Sequence, residues 1–159
     1  MDLYLIRHGA AGDRNNDHDD DLLRPLTRKG VRQAAALAES LSRLQPQLVL
    51  SSPYMRCVQT VEPLAQRVAL EIDTHPALAE GAGADIIDLA YHLVNRPAPS
   101  RPVIVCSHGD VIPDLLDAIV RRDVVDLGPM PRCQKASIWR LKSEAGRFIE
   151  ATYTPPPAV

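Results

Sequence analysis

The sequence predicts an α/β protein: a three-layer sandwich with a mainly parallel central sheet, helices on both faces and a hairpin at the C-terminal edge. Short apolar runs at Leu3–Ile6, Gln47–Leu50 and Val103–Cys106 alternate with longer stretches of helical periodicity, the pattern of strand–helix–strand units. Those runs lack polar alternation, as strands buried on both faces do. The end of the chain changes character. Ala136–Leu141 alternates like a half-buried strand, Ser143–Gly146 reads as a turn, and Arg147–Tyr153 reads as the return strand.

Each element has a local cause. The first strand ends at Arg7-His8-Gly9, and a polar loop follows with Asn15, Asn16 and the acidic run Asp17 to Asp21. Thr27 is a good N-cap for a helix whose Val31, Ala34, Ala35, Ala38, Leu41 and Leu44 recur at helical spacing, stopped by Pro46. The second strand stops at Ser51-Ser52-Pro53, where Ser52 can cap and Pro53 can open the next helix. That helix carries Val58, Val61, Leu64, Ala65 and Val68 on one face, with a kink expected at Pro63. Leu70–Thr74 reads as a short third strand, and a helix is expected from about Ala84 to Asn95. After a proline-rich connector comes the strand at Val103–Cys106, then helical residues from Val111 to Arg121.

Composition sets bounds. The 159 residues fit one domain over 1–153, with the proline-rich stretch 154–159 expected as a disordered tail. A net charge of −2 argues against a general binder of nucleic-acid polymers or anionic membranes. No apolar run approaches the roughly 18 residues of a membrane span. Asp2 directly after Met1 is unlike a secretory leader. Cys57, Cys106 and Cys133 match neither a disulfide framework nor a zinc motif. A cytoplasmic protein is expected.

Three strand ends converge on one rim of such a sheet: Arg7-His8-Gly9, Ser51 to Arg56, and Ser107-His108-Gly109. Together they offer two imidazoles, two guanidiniums and helix N-termini. Guanidinium forks and free N–H groups suit phosphate oxygens, and an unprotonated imidazole is a competent nucleophile toward phosphorus. A metallohydrolase using His8, His108 and nearby aspartates would need a ligand spacing that is missing here, because neither His-x-His nor His-Glu-x-x-His occurs. A phosphate-binding module without turnover is the rival of another class. The acidic run Asp17 to Asp21 reads as a solvated loop balanced by Arg14, Arg24 and Arg28.

Leu5-Ile6-Arg7-His8-Gly9, the stretch Ser51 to Thr60, and Ser107-His108-Gly109 resemble, in order, the histidine phosphatase (phosphoglycerate mutase-like) superfamily. The resemblance implies His8 as the phosphorylated nucleophile, Arg7 and Arg56 as clamps, and His108 as a stabiliser of the phosphoryl group. It also implies an acid on the loop before the later helix, and Glu80 stands there, with Asp85 close by. Gly9, Asn15, Ser52, Gly109 and Lys135 complete the candidate set as substrate-binding residues, Lys135 and Ser137 on resemblance alone. No metal or cofactor is implied.

In size and in Arg24-Pro25-Leu26-Thr27 the chain resembles the short phosphohistidine phosphatases of bacterial phosphorelays, although those typically lack a clear acid. Arg56 to Thr60, Val111 to Leu115 and Lys135-Ala136-Ser137 resemble the phosphatase domain fused to Nudix domains in actinobacterial nucleotide-sanitising enzymes. The implied activity is a metal-independent phosphatase acting on a phosphomonoester or a phosphohistidine protein. A nucleotide phosphatase is the alternative.

Overall fold

The computed structural model describes residues 1–14, 21–97 and 101–159. In chain order the elements are β1 (Asp2–Arg7), α1 (Arg28–Ser42), β2 (Leu48–Ser51), α2 (Met55–Val68), β3 (Ile72–Thr74), a 3-10 turn (Pro76–Leu78), α3 (Asp85–Val94), β4 (Val103–Ser107), α4 (Ile112–Asp123), β5 (Ile138–Glu144) and β6 (Arg147–Thr154). The six strands form one sheet in the order β3-β2-β4-β1-β5-β6. The first four are mutually parallel, and β5 and β6 close one edge as the expected antiparallel hairpin.

Successive residues of the central strands feed opposite faces, as the pleat requires. Leu3, Leu5, Val103 and Val105 enter a core with Ile86, Leu93, Leu115 and Ile119 of α3 and α4. Ile6, Ile104 and Cys106 enter a second core with Leu37 and Leu41 of α1 and Val61 and Leu64 of α2. Every residue of β4 is buried, which explains its unbroken apolar run. At about 1.5–3 kcal/mol for each large apolar side chain, these two cores hold the three layers together.

Several local expectations change. Val31 does not face the core of α1: it is 58% exposed, while Gly30 and Gln33 are buried beside Ala34, Leu37, Ala38 and Leu41. Gln33 takes a core position because its Oε1 accepts from the Ala10 N–H at 2.8 Å. The backbone also approaches closely there, since a Cβ on Gly30 would lie 2.0 Å from the Ala10 carbonyl oxygen. Ser52 does not cap α2. The N-cap is Tyr54; the Ser52 hydroxyl accepts from the Tyr54 N–H at 3.2 Å, one step short of the helix, and meets His108 on its other side. α2 continues through Pro63 to a left-handed cap at Ala69, so Leu70 still bonds to Ala65 and β3 begins only at Ile72. β6 extends to Thr154, and the residues beyond it, expected as a disordered tail, carry no helix or strand. Pro156 to Val159 line a recess with Ala10, Lys29, Gln33, Gln134 and Lys135.

Candidate active site

β1 and β4 are paired in register from Leu3↔Val103 to Arg7↔Ser107, and His8 N–H continues the ladder to the Ser107 carbonyl at 3.1 Å. His8 and His108 therefore leave neighbouring strands at the same level. Their ring centroids are 5.4 Å apart, with planes at 66°. Arg56, in the first turn of α2, lies buried beneath both. This is the carboxyl rim where open α/β sheets hold ligands.

His8 is 5% exposed. Its Nδ1 lies 2.8 Å from the Gly9 carbonyl oxygen. A carbonyl can only accept, so the proton sits on Nδ1 and Nε2 keeps its lone pair. Burial first, with the His108, Arg56 and Arg7 charges adding to it, pulls the imidazole from its ordinary 6.5 to about 3. The contact to the Gly9 carbonyl opposes that shift only in part. Neutral His8 presents Nε2 to the rim, where Arg56 Nε donates to it at 3.3 Å.

Arg56 gathers the remaining groups. Its Nη1 donates to the Asp21 carbonyl at 2.9 Å, and its Nη2 lies 3.1 Å from Glu80 Oε2, 3.5 Å from Asp21 Oδ2 and 3.5 Å from His108 Nδ1. Its guanidinium also stacks over the Tyr54 ring at 4.8 Å. His108 is held from behind, where its Nε2 meets the Ser52 hydroxyl at 2.8 Å. Arg7 Nη1 donates to the Cys133 carbonyl at 2.7 Å, and Arg7 Nε is a buried donor with no partner among the described residues. Glu80 is shared between Arg56 and Arg14, whose Nη2 lies 2.5 Å from Oε1.

These groups surround an open recess of about 490 Å³, with Arg7, His8, Glu80, His108, Gly109 and Lys135 in its wall beside Arg14, Arg24, Asp13 and Asp110. The Lys135 ammonium is lowered from its ordinary value, first by burial and then by Arg7, Arg24, Arg56 and Arg14. Arg7, Arg14, Arg24 and Lys135 face the opening against Asp13, Glu80 and Asp110, a small cationic excess that suits an anion.

Arg7, His8, Glu80 and His108 share the recess wall with Gly109 and Lys135, while Arg56 is not in the wall but fully buried behind it, in contact with His8, Glu80 and His108. Gly9 and Ser52 do not line it. The Gly9 N–H donates to Thr60 Oγ1 at 3.0 Å and its carbonyl is taken by His8, while Ser52 sits buried behind His108. Gly109 has a steric reason to be glycine, because a Cβ there would lie 2.7 Å from Arg7 Cζ. Asp85 heads α3 and Ser137 turns its hydroxyl to the Gln134 carbonyl; neither is in the wall. Asn15, Asn16, and Asp17 to Asp20 lie outside the described residues.

Asp21 corrects the reading of the acidic run. It is 7% exposed and pairs with Arg24 and Arg56. Burial works to raise its carboxyl, but the Arg56 and Arg24 guanidiniums outweigh it and hold the group below the ordinary carboxylate range. The usable signal was Asp21 three residues before Arg24, which here form an ion pair.

Ala136 was also missed. It is fully buried with φ of 63°, and its N–H bonds to both the Arg7 and His8 carbonyls, at 2.9 and 3.1 Å. A non-glycine residue at positive φ beside the functional strand end is local strain held by its surroundings.

A model of the histidine phosphatase superfamily (branch 1) matches residues 3–89. The chain belongs to this superfamily. It is 36% identical over 157 residues to an 8-oxo-(d)GTP phosphatase of Mycolicibacterium smegmatis, covering 98% of this chain and 48% of that protein. It therefore spans about half the length of that relative. An uncharacterized protein of Picosynechococcus is 33% identical, with 93% of this chain and 88% of that protein covered. Among solved structures, the fold is similar to the protein histidine phosphatase SixA complexed with tungstate, with a TM-score of 0.75, 22% identity, and 97% of this chain and 94% of that one covered. It is also similar to a mycobacterial glucosyl-3-phosphoglycerate phosphatase complexed with VO3, with a TM-score of 0.73, 23% identity and 99% of each chain covered. No helix among the described residues is long and apolar enough to cross a membrane.

Proposed function

We propose that this chain is a phosphatase that works through a phosphohistidine on His8, without a metal, on a phosphomonoester or a protein phosphohistidine. The observation that carries the reading is the state of His8: neutral, with its proton fixed on Nδ1 and its Nε2 lone pair facing Arg56 at the rim. An arriving phosphoryl group displaces the His8–Arg56 contact, and its oxygens take the donors of Arg56, Arg7 and His108. The His8 Nε2 lone pair forms the bond to phosphorus as the bond to the leaving oxygen breaks, and Glu80 supplies that oxygen with a proton. Water then attacks phosphorus, Glu80 takes a proton from it, and the N–P electron pair returns to Nε2. Fixed donors around the transferring group supply the main stabilisation. The acid matters most for a leaving alkoxide and least for a leaving imidazole.

The test is hydrolysis of an aryl phosphate in excess EDTA, together with acid quench of the enzyme after a labelled substrate. The expected result is activity that survives chelation, is lost in His8→Ala, and leaves acid-labile label on the protein. Loss of activity on chelation, or label retained in His8→Ala, overturns the reading.

A nucleotide as substrate is the second reading. It is favoured by the likeness to the 8-oxo-(d)GTP phosphatase and by Lys135, which stands between the catalytic recess and the recess lined by Pro156 to Val159. Comparing kcat/KM for nucleoside mono- and diphosphates with that for a phosphohistidine protein separates the two.

A further inference from the structure

The Glu80 loop is attached to the end of β4 on both of its flanks. On the upstream side, Ser107 Oγ donates to the Leu78 carbonyl at 2.7 Å, and both residues are fully buried. On the downstream side, Asp110 Oδ2 accepts from the Gly81 N–H at 2.9 Å. Gly81 has φ of 79°, which turns the chain so that its N–H reaches Asp110. The short segment Ser107-His108-Gly109-Asp110 therefore carries one rim histidine and fastens the loop that carries the carboxylate. Asp110 is itself in the wall of the recess, beside Arg14 and Glu80.

We infer that Asp110 is a positioning residue for Glu80: its carboxylate, by holding the Gly81 N–H, fixes the acid at the leaving-group side of His8. The inference rests on the reading of Glu80 as the acid. The groups facing Glu80 make the tether necessary. Arg56 holds Oε2 from a buried position and the Asp21 carboxyl stands beside it, whereas Arg14, on Oε1, is 63% exposed, so its pair with Glu80 is screened by water. When a phosphoryl group takes Arg56, the tethers at Leu78 and Gly81 join the loop's own Ala82 N–H to Ala79 carbonyl bond and the Arg14 pair in holding it. Asp110 is the side chain that fastens the downstream flank to the end of β4, where Ser107 fastens the upstream one.

The experiment measures kcat/KM for a series of aryl and alkyl phosphates of increasing leaving-group pKa, in the wild-type chain, Glu80→Gln, Asp110→Ala and Asp110→Asn. Glu80→Gln is expected to steepen the dependence on leaving-group pKa. Asp110→Ala is expected to steepen it in the same sense, costing alkyl esters about ten-fold more than activated aryl esters, the worth of one charge-assisted hydrogen bond. Asp110→Asn is expected to restore most of the wild-type slope, because its Oδ1 still accepts from Gly81. An Asp110→Ala variant that slows every ester by one common factor overturns the inference and leaves the Glu80 reading standing, as does an Asn variant no better than Ala. An unchanged slope in Glu80→Gln overturns the reading of the acid, and the inference with it.

Discussion

His8 and His108 arrive by the same local sequence, a buried strand followed by His-Gly, yet the fold presents them with opposite ring nitrogens facing Arg56. His8 turns Nε2 to Arg56 and Nδ1 to the Gly9 carbonyl. His108 turns Nδ1 to Arg56 and Nε2 to the Ser52 hydroxyl. The partner behind each ring decides what the front can do. A carbonyl has no proton to give, so His8 is locked with its front nitrogen bare. A hydroxyl both donates and accepts, so the rear of His108 leaves its tautomer open; with Arg56, a donor only, at its front, Nδ1 accepts here and can become a donor only once Arg56 is drawn away. On the proposed mechanism, one sequence pattern thus supplies the nucleophile and, after Arg56 turns to the phosphoryl group, a donor.

The sharpest way to break this comparison is to remove the locked ring. His8→Ala is expected to lower kcat/KM on an aryl phosphate by about 10⁴-fold or more, since no other group replaces an attacking atom. His108→Ala is expected to cost about 10²–10³-fold, the usual worth of one fixed donor at a developing charge. Similar losses in both variants, with label still trapped on the His108→Ala protein, would show that the two rings contribute equally to transition-state binding.

The locked ring also leaves a mark on stability. The unfolded chain takes up a proton at this histidine near pH 6.5, the folded chain only near 3. The unfolded state binds more protons between those values, so stability is full above about 6.5 and falls as the pH drops toward 3. Urea unfolding of wild type and His8→Asn at pH 7 and pH 4 should show the wild type losing about 2–3 kcal/mol more than the variant. Equal losses would mean that His8 is not held neutral by the fold.

Smaller effects sharpen the contrast at the neighbouring residues. Gly109→Ala places a methyl against the Arg7 guanidinium, which can move only by leaving its position. KM should rise about ten-fold with Tm nearly unchanged, because one charge-assisted contact is lost rather than core packing. Ser52→Ala should cost only a few-fold in kcat, about 1 kcal/mol, by freeing the rear of His108. A larger loss in Ser52→Ala than in His108→Ala would reverse the order of importance drawn above.

How much of this was legible depended on whether a residue's role was local. Buried parallel strands write themselves as apolar runs, so β1, β2 and β4 and the residues at their ends could be read directly. The C-terminal hairpin was equally readable from its alternation. Asp21 could not be read from its neighbours, because a carboxylate in an acidic run is buried here by a guanidinium 35 residues further along the chain. Gln33 and Val31 exchanged places for the same reason: a helix face is assigned by polarity, but the Ala10 backbone made the polar position the buried one. Ser52 was noticed for the right position and the wrong partner, since serine before proline reads as a helix cap until a histidine from another strand claims its hydroxyl.

The in-register pairing of β1 with β4 has one more consequence. The separation of the two imidazoles is set by the hydrogen-bond ladder from Leu3↔Val103 to Arg7↔Ser107, not by any loop. A slip of a single residue would offset the rings by about 3.3 Å and turn both cores inside out, so it is opposed by the whole sandwich. The chemical centre is therefore as rigid as the sheet. The segments that line the rest of the recess, around Gly12, Glu80 and Lys135, are separate pieces of chain outside that ladder. A change of length or sequence in those segments would leave the spacing of the two histidines fixed.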